Sequence, residues 1–270
     1  MSESIPFVKA HACGNDFLLV DEDVVRGRHA AMARAICARH TGLGADGIEF
    51  FERRGDGRYF LRLFNADGSE AELSGNGTRC VAAWLAERDG LRDVMLETHG
   101  GPRRCVVKEQ RGSEWWIESA MGVPRVMRRR IEIEGVPQVL DGVMVNVGNP
   151  HFVLFPEAED FSMAGMSWQR VGAKVAVDAM FPHGTNVEFV RVTGEAEIAF
   201  RIFERGCGPT MSSGTGTSAS SAAAMEMRQA ARELKAVAEG GEQFVRWPER
   251  TSELLLTGPA VVVAIGEVRF

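Results

Sequence analysis

Ser74-Gly75-Asn76-Gly77-Thr78 and Ser213-Gly214-Thr215-Gly216-Thr217 are one pattern, S-G-x-G-T, written twice 139 residues apart. In each copy a serine stands before two glycines and opens a run rich in alanine, the signature of a capped helix start. The same shift carries Glu49-Phe50 onto Glu188-Phe189, Gly55 onto Gly194, and Arg62-Leu63-Phe64 onto Arg201-Ile202-Phe203. Downstream it carries Ala83 onto Ala222, and no gap is needed. Gly14-Asn15-Asp16-Phe17 is echoed at a slightly different spacing by Gly148-Asn149-Pro150-His151-Phe152. A register kept through strand, turn and helix signals alike points to a duplicated unit.

Each copy reads as strands feeding a helix. Ile48–Glu52 and Arg58–Phe64 alternate apolar and polar residues as half-buried strands do, and Thr185–Val192 and Glu197–Phe203 do the same. Glycine-rich loops follow at Asn65–Ser69 and Gly206–Thr210. The helix after Ser74 should run to about Glu87 and close at Asp89-Gly90, and the one after Ser213 to about Arg232. Further strands are expected at Phe7–Ala12, Arg104–Lys108, Trp115–Glu118, Val143–Val147 and Leu254–Thr257. The fold class that follows is α+β: two pseudo-symmetric domains, each a curved, mostly antiparallel sheet around a central helix apolar enough to be buried. Residues 1–122 form the first domain, joined by a returning strand at 260–270, and residues 123–259 the second. Val123–Val136, with Pro124 and the run Arg128-Arg129-Arg130, is the expected crossover, its arginines solvated.

The chain's 270 residues hold 31 basic and 37 acidic side chains, a net charge of −6. A mildly acidic chain without a polybasic cluster argues against nucleic acid or an anionic membrane as partner. Apolar content of 45% is ample for a core, but no apolar run approaches the roughly 20 residues that span a bilayer. Met1–Pro6 shows no basic segment leading into an apolar one, so no secretory leader is read there. Cys13, Cys37, Cys80, Cys105 and Cys207 lack C-x-x-C spacing, and the expectation is reduced thiols in a cytoplasmic protein with no metal site.

A helix start presents free N–H groups and the positive end of the helix dipole, suited to a carboxylate or phosphate. Two equivalent starts facing one cleft would hold one anion between two small hydroxyl side chains, although both serines read equally well as caps without chemistry. Asn15, Asn65, Asn76, Asn149, Asn186, Glu204 and Arg205 each follow or end a strand, where loops on rigid strands gather binding groups. Any one asparagine is also an ordinary turn residue. Arg205 can clamp a carboxylate with two parallel hydrogen bonds. His151 and Glu204 are the titratable candidates to tune a neighbouring acid or base, and His151 reads equally as a satisfied loop residue.

The chain resembles the diaminopimelate epimerases over nearly its whole length. The resemblance is carried by Phe7–Phe17 (FVKAHACGNDF), Gly42–Gly47 (GLGADG), Phe64–Cys80 (FNADGSEAELSGNGTRC), Gly148–His151 (GNPH), Phe181–Phe189 (FPHGTNVEF) and Phe203–Gly216 (FERGCGPTMSSGTG). It implies two pseudo-symmetric domains, inversion of an amino-acid α-carbon by two bases without a cofactor, and a homodimeric cytoplasmic enzyme of lysine and peptidoglycan biosynthesis. It further implies Ser74, Ser213, His151 and Glu204 as the catalytic set. Asn15, Asn65, Gly75, Asn76, Asn149, Asn186, Glu204, Arg205, Gly214 and Thr215 would bind the substrate. The family pattern, however, is C-G-N-G and C-G-T-G, and its two cysteines are the acid and base; this chain has Ser74 and Ser213 there. A thiol near pKa 8.5 can be lowered into the working range at a helix start, whereas a hydroxyl is a far weaker acid. Two readings follow: a Cys-to-Ser inactivated epimerase, or a natural Ser/Ser relative that binds or racemises another amino acid. Gly47, where some members carry glutamine, and Asp178, where histidine is common, are smaller departures.

Overall fold

In the computed structural model, which describes residues 4–25 and 27–270, the duplicated sequence folds as two units. Residues 1–120 with 257–270 form one, and residues 121–256 the other. The leader reading of Met1–Pro6 lies partly outside the described residues.

The first unit contains β1 (Ser4–Ala12), β2 (Asn15–Asp21), α1 (His29–Ile36), β3 (Gly47–Arg53), β4 (Tyr59–Asn65), β5 (Glu70–Ala71), α2 (Gly75–Asp89), β6 (Asp93–Thr98), β7 (Gly101–Arg111) and β8 (Glu114–Ala120). The second contains β9 (Arg125–Ile131), β10 (Leu140–Asn146), β11 (Pro150–Leu154), α3 (Trp168–Val175), β12 (Asn186–Gly194), β13 (Glu197–Glu204), β14 (Gly208–Thr210), α4 (Gly214–Met227), β15 (Glu233–Ala238) and β16 (Gly241–Arg246). The last strand, β17 (Leu255–Arg269), returns to pair antiparallel with β1.

Pairing in the first unit runs β1–β2 antiparallel, β2–β3 parallel, β3–β4 antiparallel, β4–β6 parallel and β6–β7 antiparallel. The second unit repeats that sequence of directions through β10, β11, β12, β13, β15 and β16. In the first unit β7–β8 and the β8–β17 and β17–β1 pairings bring the ladder back to its start, so the sheet closes around α2. Duplication read in the sequence is therefore duplication of topology.

The central helices are buried because strands surround them. Val81, Ala82, Ala83, Leu85 and Ala86 of α2 pack against Phe17, Leu19, Leu61 and Leu63. Ala219, Ala222, Ala223 and Ala224 of α4 pack against Val153, Val190, Phe200 and Ile202. Two buried hydroxyls on α4 bond back to the helix, Ser218 to the Gly214 carbonyl at 2.9 Å and Ser221 to that of Thr217 at 2.8 Å, while Ser220 Oγ is buried without a partner. Small side chains let the sheet approach the helix closely from every side.

Three expectations change. The paired strands β3 and β12 are buried on both faces, not half-buried, because α1 and α3 cover their outer faces. Ile48 and Phe50 join Met32 and Ile36 of α1, and Val187 and Phe189 join Val171 and Val175 of α3. The helix after Ser213 stops at Met227, short of Arg232, where Gln229 takes a positive φ of 58° that ends the helical path. The expected crossover contains strand β9, laid antiparallel on β10; its arginines stay largely exposed, and Arg128 is clamped by Asp141 (Nε–Oδ1 2.9 Å).

Candidate active site

Both serines cap their helices. Ser74 and Ser213 lie in extended conformation (φ −122° and −143°), which turns each side chain back over the first turn. Gly77 N–H donates to Ser74 Oγ at 3.0 Å, and Gly216 N–H to Ser213 Oγ at 3.3 Å. Gly75, Asn76, Gly214 and Thr215 form these first turns and are buried.

Around Ser74 the polar network is built from the start of β2. Asn76 donates from Nδ2 to Asn15 Oδ1 (3.1 Å), and Asn15 donates from Nδ2 to Asp46 Oδ2 (2.6 Å). Arg79, one turn into α2 and fully buried, donates to Asn76 Oδ1 at 2.5 Å. Asn65, at the end of β4, bonds its own turn through Ser69 Oγ (3.0 Å) and is not joined to that network by these bonds.

Around Ser213 the network is longer. Ser213 Oγ and Thr215 Oγ1 lie 3.3 Å apart, and Asn149 donates from Nδ2 to Thr215 Oγ1 at 3.3 Å. His151 Nε2 meets Asn149 Oδ1 at 2.8 Å, and its Nδ1 meets Glu188 Oε1 at 2.6 Å with both side chains wholly buried. Asn186, at the start of β12, donates to the Pro150 carbonyl (3.1 Å) and accepts from Arg205 N–H (2.9 Å). Arg205 Nη1 donates to the His183 carbonyl at 3.1 Å. Glu204, ending β13, accepts from Thr210 at 2.5 Å, so in this structure it is Glu188 that His151 engages.

Two residues that matter here were not singled out by their type. Glu49 and Glu188 occupy equivalent positions in β3 and β12, and both are buried beneath a helix start. A Cβ on Gly77 would lie 1.9 Å from Glu49 Oε1, and one on Gly216 would lie 3.2 Å from Glu188 Oε1. Gly77 is therefore required for the Glu49 carboxyl to reach the helix, whereas at Gly216 the closest neighbour is Ile202 Cδ1 at 2.5 Å. Burial pushes Glu49 up to about 8, and its Oε1 has no hydrogen-bond partner. Burial also raises Glu188, outweighing the opposite pull of His151. Their sequence signal was the repeat itself, in which a glutamate inside an apolar strand recurs in register with the helix start.

Cys13, Cys37, Cys80 and Cys105 are buried and Cys207 exposed, and none of the five is in a disulfide. Burial pushes Cys37 up to about 12 and Cys105 to about 11, so neither is poised as a thiolate. Among the described residues no cluster of three metal-ligating side chains occurs, and no helix is long and apolar enough to cross a membrane.

A helix capped by a small nucleophile-type side chain inside a surrounding sheet, present twice, defines a fold shared with isomerases and their relatives. A phenazine biosynthesis protein of the PhzF family from Bacillus anthracis superposes with a TM-score of 0.77 at 18% identity, covering 98% of this chain and 99% of that one. A hydroxyproline epimerase from Agrobacterium vitis superposes with a TM-score of 0.74 at 14% identity, covering 99% and 92%. The family model described as diaminopimelate epimerase matches residues 7–127 and 143–263. The chain is 32% identical to the diaminopimelate epimerase of Parabacteroides distasonis, covering all of both chains. It is 35% identical to that of Pelotomaculum thermopropionicum, covering 97% of this chain and 98% of the relative. The chain belongs to the diaminopimelate epimerase family.

Proposed function

We propose that this protein handles diaminopimelate, interconverting the LL and meso forms at an α-carbon, in a Ser/Ser form that turns over very slowly. The observation that carries this reading is the pair of equivalent serine-capped helix starts, each placing one exchangeable proton at the first turn of a helix. In the reaction one group removes the α-proton from one face while the other supplies a proton to the opposite face. N–H groups of Gly75 and Asn76, and of Gly214 and Thr215, would hold the α-carboxylate and spread the charge of the planar transition state. Asn15, Asn65, Asn149, Asn186, Glu204 and Arg205 would fix the two ends of the substrate, with orientation and exclusion of water offsetting the weak acidity of the α-proton. No step needs a cofactor. The setting proposed is cytoplasmic amino-acid biosynthesis, with the protein a homodimer.

Replacing thiols by hydroxyls removes roughly 5 kcal/mol of proton-transfer assistance, several powers of ten in rate at about 1.36 kcal/mol per tenfold. The test is Ser74→Cys with Ser213→Cys, incubated with LL-diaminopimelate in deuterium oxide. Isotope entry at the α-carbon well above that of the Ser/Ser protein is expected; none would end the epimerase reading. A natural Ser/Ser protein acting on another amino acid is the second reading, and the contact between Ser213 and Thr215 favours it, because a hydroxyl is engaged there. Calorimetry of the Ser/Ser protein separates the two: heat with diaminopimelate supports the first, and heat only with a different amino acid the second.

A further inference from the structure

We propose that Glu188, acting through His151, Asn149 and Thr215, decides whether the Ser213 hydroxyl offers its proton or its lone pairs at the start of α4. All five side chains lie in one unit and are joined by four contacts of 2.6, 2.8, 3.3 and 3.3 Å. Each interior member of this row can reverse. An imidazole can carry its proton on either nitrogen, an amide can turn over, and a hydroxyl donates or accepts.

Consider the pair holding two protons. Whether written as carboxylic acid with neutral imidazole or as carboxylate with imidazolium, Nε2 carries a proton and donates to Asn149 Oδ1. Asn149 Nδ2 then donates to Thr215 Oγ1, Thr215 donates to Ser213 Oγ, and the Ser213 proton is directed outward. When one proton leaves to solvent, the carboxylate keeps the remaining proton on Nδ1, because two bare lone pairs 2.6 Å apart repel. Nε2 now accepts, Asn149 turns over, its Oδ1 accepts from Thr215, and Thr215 Oγ1 accepts from Ser213. The serine lone pairs now face outward. No bond between heavy atoms changes.

The groups facing Glu188 leave the decision to this pair. His151 faces it from β11, Ile202 from β13 and Gly216 from α4, while Glu204 on β13 is turned to Thr210. Its second oxygen, Oε2, is buried without a partner; apart from His151 only a backbone N–H of Glu188 itself favours the carboxylate, and burial outweighs both and raises the pH at which the proton leaves. On the Ser74 side no reversal is available. Asn15 is anchored by Asp46, an acceptor when ionised, and Asn76 by Arg79, which can only donate. The consequence for turnover rests on the epimerase reading, in which a group must serve as acid in one direction and base in the other; the wiring does not.

The experiment is a pH titration of His151 by nitrogen-detected NMR, from about pH 5 to about pH 10, a range spanning the ordinary histidine value. Expected is loss of the Nε2 proton with retention of the Nδ1 proton as pH rises. Glu188→Gln should move that transition lower by at least about one pH unit, to a tenfold higher proton concentration, because a buried imidazolium loses its counter-charge. Unchanged protonation of Nε2 throughout, or an unmoved midpoint in Glu188→Gln, overturns the proposal. Thr215→Val supplies a second arm that keeps the His151 transition. In the pH profile of α-proton exchange, the limb that coincides with the His151 midpoint should disappear in Thr215→Val, and its persistence overturns the wiring. If no form exchanges the α-proton while His151 behaves as expected, the epimerase reading falls and the wiring stands.

Discussion

The two halves place a glutamate at the same point under the same kind of helix start, yet Glu188 has a histidine and Glu49 has none. The difference traces to one position on the neighbouring strand, where the pairing register places Phe17 in the first half and His151 in the second. Glu188 shares its hydrogen bond with His151 and can exchange a proton, whereas Glu49, packed among Phe17, Leu19 and Leu63, has only burial acting on it. A duplicated scaffold thus carries one half-site whose polarity can reverse and one whose polarity is set. Two-base chemistry asks the two sides to be in opposite protonation states, and unequal wiring is a direct way to arrange that.

The largest effect that could break this comparison comes from the cysteine substitutions made singly. A two-base reaction runs no faster than its slower side, so Ser74→Cys or Ser213→Cys alone should recover at least about tenfold less α-proton exchange than the pair together. Equal recovery by one substitution alone would mean that only one half-site handles protons. Next in size is the pH dependence of stability. Glu49 ionises at about 8 when folded against an ordinary 4.5, so below pH 4.5 both states keep the proton and no penalty arises. Between 4.5 and 8 the unfolded chain releases it first, and stability falls as pH rises, by an order-of-magnitude total of about 5 kcal/mol. Urea unfolding of Glu49→Gln should lose this slope and gain stability above pH 8; an unaltered slope would assign it to other groups.

Smaller again is the cost of closing the space over that carboxyl. Gly77→Ala should lose about 2 kcal/mol, the usual scale for an extra methyl in a packed site, and lose less in a Glu49→Ala background. Equal losses in both backgrounds would show that the carboxyl is not what the glycine makes room for. Smallest are the caps, where Ser74→Ala and Ser213→Ala should each cost about 1 kcal/mol in thermal or denaturant unfolding. Of the two, the longer 3.3 Å contact at Ser213 predicts the smaller loss.

Much of this organisation is legible in the sequence. The repeat located both capped helices, and the strand pairs β3–β4 and β12–β13 lay where alternation put them. Strand-end placement of Asn15, Asn65, Asn186 and Glu204 was also readable, because turn chemistry is local. What escaped had non-local causes. The short helices α1 and α3 were not anticipated, and so both-sided burial of β3 and β12 was missed. Strand β9 looked like a charged linker because exposed arginines on a sheet's solvent face read the same as arginines in a loop. Arg79 and Asp46 gained meaning only through Asn76 and Asn15, residues that folding brings beside them or the helix turn stacks on them.

By itself the sequence determined the duplication, the two helix caps and the family, since each depends on residue type and spacing along the chain. Only tertiary structure decided which carboxyl meets which partner. Glu49 and Glu188 are the same residue in the same register, and what separates them is the residue that a neighbouring strand brings within 3 Å, a distance that spacing along the chain does not encode.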